Sequence, residues 1–163
     1  MRAAVLTISS SRTRREDDES GNALVAFCQE AGLETVYDSV SDDREAIANA
    51  LKRLADNEHV RFIFTTGGTG LTHDDVTPEA TRDVIDREAP GFAEAIRVES
   101  RTHTPLGILT RGISGIRGRT LIVNFPGSPK SIEQLFPVLA PTLKHVVRTL
   151  QGDSSHHESD RGD

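Results

Sequence analysis

Tryptophan is absent, aromatic residues make up only 4% of the chain, and there is one cysteine, Cys28. With so few rings the core has to be assembled from Val, Ile, Leu and Ala, a palette suited to a parallel sheet covered by helices. A lone cysteine cannot close an internal disulfide, which fits a reducing compartment. Cys28 lies in an apolar helical pattern and is read as packing. Lysine is also scarce: of 19 basic residues, only Lys52, Lys130 and Lys144 are not arginine. The net charge of −6, with no concentrated basic stretch, excludes a general nucleic-acid binder, because phosphates would go unneutralised. A local anion site stays open, since backbone N–H groups can build one. No apolar run approaches the ~20 residues of a membrane span. Met1 and Arg2 lead straight into a strand-like run without signal-peptide architecture, so the expected location is the cytoplasm. The 163 residues suffice for one domain with a real core.

The elements alternate. Residues 2–9 (RAAVLTIS) read as a buried strand entering a polar loop. Residues 10–19 are charged and read as a mobile loop. Leu24, Phe27, Cys28 and Ala31 repeat at helical spacing, with Gly32 as the stop. Residues 33–40 read as a second strand. Asp42 and Glu45 have capping-box spacing ahead of the stripe Ile47, Ala50, Leu51 and Leu54. Residues 60–66 (VRFIFTT) are a dense β run. Thr77-Pro78 reads as an N-cap with proline at the first helical position, opening a helix to about Arg87. Phe92, Ala95 and Ile96 mark another helix. Residues 114–117 and 120–125 predict a hairpin across Gly118-Arg119. A helical face from Ile132 to Leu150 is kinked or split near Pro137 and Pro141. Residues 152–163 hold no hydrophobe and read as a disordered polar tail, His156-His157 included, leaving residues 1–151 as the domain.

Strands alternating with helices imply an α/β domain: a mostly parallel sheet with helices on both faces, binding ligands beyond the carboxyl ends of its strands. Three polar loops follow predicted strands and should gather on that edge: Ser9, Ser10 and Ser11; Gly67-Gly68-Thr69-Gly70; and Gly127-Ser128-Pro129-Lys130. Three glycines in four residues let a backbone turn with positive φ and bring its amides against phosphate oxygens, with Thr65, Thr66 and Thr69 as hydroxyl donors. The same loop also serves as a bare strand-to-helix connection. Asp74 and Asp75 follow it, and Asp42 ends the second strand. Such carboxylates suit a divalent cation bound to polyphosphate, and equally suit helix capping. Residues 127–130 open the last helix, where free N–H groups, the Ser128 hydroxyl and Lys130 welcome an anion. His73 and His103 read as solvated or structural.

Residues 65–80 (TTGGTGLTHDDVTPEA), 124–131 (NFPGSPKS) and 87–97 (REAPGFAEAIR) together resemble the MoaB/Mog family, relatives of the G domain of gephyrin. The resemblance runs from about Arg2 to Leu150. It implies a three-layer α/β/α fold with a mostly parallel mixed sheet, assembled as trimers or hexamers. It implies Mg²⁺-dependent transfer of AMP from ATP to the terminal phosphate of molybdopterin, releasing pyrophosphate. The adenylylated pterin then passes to a MoeA-type insertase, for a molybdenum or tungsten cofactor. By the same resemblance Asp42 and Asp75 match the catalytic pair, and their carboxylate chemistry makes them the expected Mg²⁺ ligands. Substrate contacts fall to Ser9, Thr66, Gly67, Gly68, Thr69, Gly70, Gly127, Ser128, Pro129 and Lys130. The chain departs from the family at Ser9-Ser10, where Ser-Asp is common, at Ser41, where Pro is frequent, and at Asp74, where a basic residue often stands. Two other readings remain: a non-catalytic molybdopterin-binding member, and a nucleotide-hydrolysing relative of the CinA type, which usually carries further domains.

Overall fold

The computed structural model describes residues 1–10 and 14–152. Ser11 and the expected tail from residue 153 onward lie outside them. The sheet has six strands: β1 (Arg2–Ile8), β2 (Glu34–Val40), β3 (Phe62–Thr66), β4 (Arg87–Glu88), β5 (Ser114–Arg117) and β6 (Thr120–Phe125). Their order is β2-β1-β3-β6-β5-β4. The first four in that order are parallel; β5 pairs antiparallel with β6, and β4 antiparallel with β5, so only β5 runs against the others. The expected mixed, mostly parallel sheet is therefore present.

Among the described residues six α-helices cover it: α1 (Glu19–Glu30), α2 (Arg44–Asp56), α3 (Thr77–Val84), α4 (Pro90–His103), α5 (Pro129–Leu139) and α6 (Leu143–Leu150). The two-residue period of a strand divides the apolar residues between two cores. From β1, Ala3 and Val5 join α1, α4, α5 and α6 on one face. Ala4, Leu6 and Ile8 join α2 and α3 on the other. The scarce aromatics are concentrated on the first face, so that core is not purely aliphatic: Phe64 packs on Phe62, Phe125 and Phe136, and Phe27 stacks on Phe136. Pro137 is accommodated inside α5, and a 3-10 turn at Ala140–Thr142 separates α5 from α6. The expected split thus falls at the second proline.

Three local expectations need correction. The N-cap of α2 is Asp43, whose carboxylate accepts from Ala46 N–H (2.8 Å), so Asp42 is free of capping duty. Thr77 is the first residue of α3 rather than its cap, and the helix stops at Val84. Arg87–Glu88 then turn into β4. The loop read as mobile contains a 3-10 turn at Arg15–Asp17 and a buried Asp18 capping α1.

The chain runs from β1 outward to β2 and returns on the other side of β1 as β3. This reversal makes a topological switch point between β1 and β3, where open α/β sheets bind ligands. The register sets their ends level, Ile8 beside Val40 and Thr66 beside both Thr7 and Phe125. The segments that follow β1, β2, β3 and β6 all leave from this one edge.

Candidate active site

Three cavities share the glycine loop at this edge. The largest, about 470 Å³, is lined by Gly67, Gly68, Thr69, Gly70 and Asp75, by Pro126, Gly127, Ser128 and Ser131, and by α4 and the turn after it. A second, about 260 Å³, lies between Ser9, Asp18, Ser20, Thr66, Gly67, Gly127 and Pro129. A third, about 220 Å³, is lined by Ile8, Ser9, Ser10, Asp42, Gly68, Asp74 and Asp75. Asp42 and Asp75, one after β2 and the other past β3, thus face one space beside Gly68.

Backbone geometry explains the loop. Gly67 and Gly68 have φ of +98° and +69°, a region that side-chain-bearing residues rarely enter. A Cβ on Gly67 would overlap the Ile8 carbonyl, and one on Gly68 the Thr77 hydroxyl. Gly70 is needed for a different reason: its Cβ would stand 2.7 Å from Asp75 Oδ2. That same Oδ2 accepts from Thr72 N–H (3.0 Å) and Thr72 Oγ1 (2.8 Å), which fixes the carboxylate against the loop. Thr77 Oγ1 donates to the Gly67 carbonyl (2.9 Å) and ties α3 to the turn.

The expected hydroxyl donors are less available than their positions suggest. Thr66 Oγ1 donates to the Pro126 carbonyl (2.9 Å), and Thr65 Oγ1 accepts from Asn124 in the core. Ser128 Oγ accepts from Ser131 N–H (3.1 Å) as the cap of α5 and donates to Ser131 Oγ (2.7 Å). Thr69 is buried and lines the largest cavity. Lys130 is exposed and lines none of the three. His73 is solvated beside Asp74, and His103 pairs with Glu99 on α4.

Two residues were missed. Asp18, only 6% exposed, accepts from Thr7 Oγ1 (2.6 Å), Tyr37 OH (2.6 Å) and Gly21 N–H (3.0 Å). Burial alone raises its pKa, but these bonds outweigh it and hold the carboxyl below its ordinary range. Its sequence signal was the Asp-x-Ser-Gly start ahead of an apolar helical stripe, an N-cap pattern. Arg111, discussed below, had no local signal.

None of the described residues lining the three cavities is Lys or Arg.

Residues 4–145 match the family described as "Probable molybdopterin binding domain". The chain belongs to the MoaB/Mog family. It is 37% identical over 140 residues to the molybdopterin adenylyltransferase of Helicobacter pylori, covering 84% of this chain and 80% of that protein. It is 39% identical over 154 residues to the molybdenum cofactor synthesis protein cinnamon of Drosophila melanogaster, covering 93% of this chain. The match spans only 26% of that longer protein. The crystal structure of the molybdopterin biosynthesis enzyme MoaB from Thermus thermophilus superposes with a TM-score of 0.84 at 40% identity, covering 93% of this chain and 96% of that one.

Proposed function

We propose that this MoaB/Mog protein is a molybdopterin adenylyltransferase acting in molybdenum (or tungsten) cofactor biosynthesis. An oxygen of the pterin's terminal phosphate attacks the α-phosphorus of ATP. The bond from that phosphorus to the bridging oxygen breaks, and pyrophosphate leaves with the electron pair. No covalent enzyme intermediate is required, so positioning and charge stabilisation carry the reaction. The observation that carries this reading is the meeting of Asp42 and Asp75 beside Gly68 in one polar cavity. The relatives' names support the reaction class.

In this reading the amides of the glycine loop and of Gly127-Ser128 hold phosphates. The largest cavity takes the pterin, since it combines hydroxyls of Thr104, Thr110 and Ser131 with the apolar Leu106 and Leu109. Mg²⁺ fits the donor set of the smallest. Among the described residues no group of three His, Cys, Asp or Glu side chains is placed to hold a metal. Two carboxylates completed by phosphate oxygens and water are what Mg²⁺ ordinarily accepts. Bound there, it would offset polyphosphate charge that no basic side chain among the described lining residues meets.

The domain is taken to occupy residues 1–151, in the cytoplasm, and the product to pass to a MoeA-type insertase. Among the described residues no helix is long and apolar enough to cross a membrane. Val98, Leu106, Ile108 and Leu109 are exposed on α4 and the turn after it, an apolar surface that supports self-association as a trimer or hexamer.

Incubation with Mg-ATP, with and without molybdopterin, tests the reading. Pyrophosphate release that requires the pterin is the expected result. Hydrolysis without pterin, or tight pterin binding with no release, contradicts it.

A further inference from the structure

One side chain grips the glycine loop from outside the three cavities. Arg111 N–H donates to the Thr69 carbonyl (2.8 Å). Its Nε donates to the Gly70 carbonyl (2.8 Å), and its Nη2 to the Asp75 carbonyl (2.7 Å). The Glu79 carboxylate on α3 takes Nη1 at 2.5 Å and Nη2 at 3.4 Å. A single residue therefore holds the entry and the exit of the 70–75 turn. Resting on the transferase reading above, we propose that Arg111, oriented by Glu79, is a positioning residue that fixes the glycine loop and Asp75 for adenylyl transfer.

The geometry gives the device two properties. A trans peptide points its C=O and the following N–H to opposite sides. Drawing the Thr69, Gly70 and Asp75 carbonyls toward Arg111 therefore turns the next amides away from it, setting their direction. The fork is also fixed at its base. Gly112 O accepts from Arg97 Nη1 (2.7 Å), and Ile113 N–H donates to Asn124 Oδ1 (3.1 Å). Asn124 in turn donates to Thr65 and Thr81 hydroxyls, at 3.0 Å each. Arg111 lines none of the three cavities, so it acts through the loop rather than on the ligand. A planar guanidinium can serve two carbonyls and a carboxylate at once, whereas a lysine ammonium is a point charge on a flexible stem.

The test compares Arg111→Lys, Arg111→Gln and Glu79→Gln in the full chain. Arg44→Gln serves as control, breaking the exposed pair that Arg44 makes with Asp83 of α3. Three quantities are read: melting midpoint, amide hydrogen exchange of residues 67–76 without ligand, and pterin-dependent pyrophosphate release at varied Mg-ATP. The expected result is roughly tenfold to a hundredfold lower kcat in Arg111→Lys and Glu79→Gln, with KM for ATP within about threefold. Exchange should quicken in residues 67–76 alone, with midpoints near wild type, and Arg44→Gln should match wild type. If Arg111→Gln does not fold, the other two variants decide. The proposal is overturned by unchanged kcat in both, by unchanged exchange in the loop, or by activity losses that only track falling midpoints. A wild-type protein that releases no pterin-dependent pyrophosphate refutes the transferase reading instead, and loop exchange then decides the role of Arg111 by itself.

Discussion

Adjacent aspartates after β2 have different surroundings, and substitution should separate them. Asp43 caps α2 and is exposed, while Asp42 lines the smallest cavity. Asp43→Ala should cost about 1 kcal/mol of stability and leave kcat unchanged. Asp42→Asn should leave the melting midpoint near wild type and lower kcat by about a hundredfold or more. Asp18 is a different case, since its depressed pKa links it to acid stability. A carboxylate whose folded pKa lies below its unfolded value, about 3.9, contributes stability above that value and loses it as pH falls through the folded pKa. Asp18→Asn should therefore lower stability at pH 7 by about 1–3 kcal/mol. Thermal unfolding followed downward from pH 7 should show the gap to wild type closing below about pH 4. Local sequence carried its capping pattern but hid its burial. Asp18 sits in the run RREDDES, which resembles a solvated loop, and its burial is imposed by Thr7 and Tyr37 from other strands. Arg111 was hidden likewise, its side-chain partners lying 32 to 41 residues away.

At the scale of elements, most of the chain was readable. Dense β-formers marked β3, and the hairpin of β5 and β6 appears where two short runs flank Gly118-Arg119. The cap slipped by a residue at α2, where Asp42 and Asp43 both had capping chemistry and only three-dimensional contacts choose between them, and α3 starts after Val76 and ends at Val84, short of the expected Arg87. The two-residue β4 had no periodicity to display. The turn between β3 and α3 makes the sharpest prediction at this scale. Gly68→Ala forces a side chain into positive φ and against Thr77, so it should cost about 1–2 kcal/mol, seen as a lower midpoint, and should depress activity further by displacing the loop. Phe136→Ala, emptying the centre of the aromatic cluster beneath α5, should cost about 3–5 kcal/mol in denaturant unfolding with kcat of the folded fraction retained.

For the whole molecule, the site is a product of topology. Asp42 and Asp75 are distant in sequence, and only the parallel strands with their switch between β1 and β3 bring both to Gly68. The convergence of polar loops was legible from the alternation of strands and helices. The lack of basic side chains among the described residues lining the three cavities was not, because Lys130 follows the Gly127-Ser128-Pro129 loop and Arg14 and Arg15 precede α1, and only the fold shows where they point. On the proposed Mg²⁺-assisted reaction, a chelator should abolish pyrophosphate release and leave the melting midpoint unchanged. Cys28 gives a check on global integrity. Burial pushes its thiol up to about 12, so alkylation at neutral pH should proceed only through unfolding. The most direct measurement is a Mg²⁺ titration of pterin-dependent pyrophosphate release by wild type, Asp42→Asn and Asp75→Asn. Both variants are predicted to need more Mg²⁺ for half-maximal rate and to stay far below the wild-type maximum. Wild-type Mg²⁺ response and rate in either one would contradict the assignment of these two carboxylates to a single cation-assisted site.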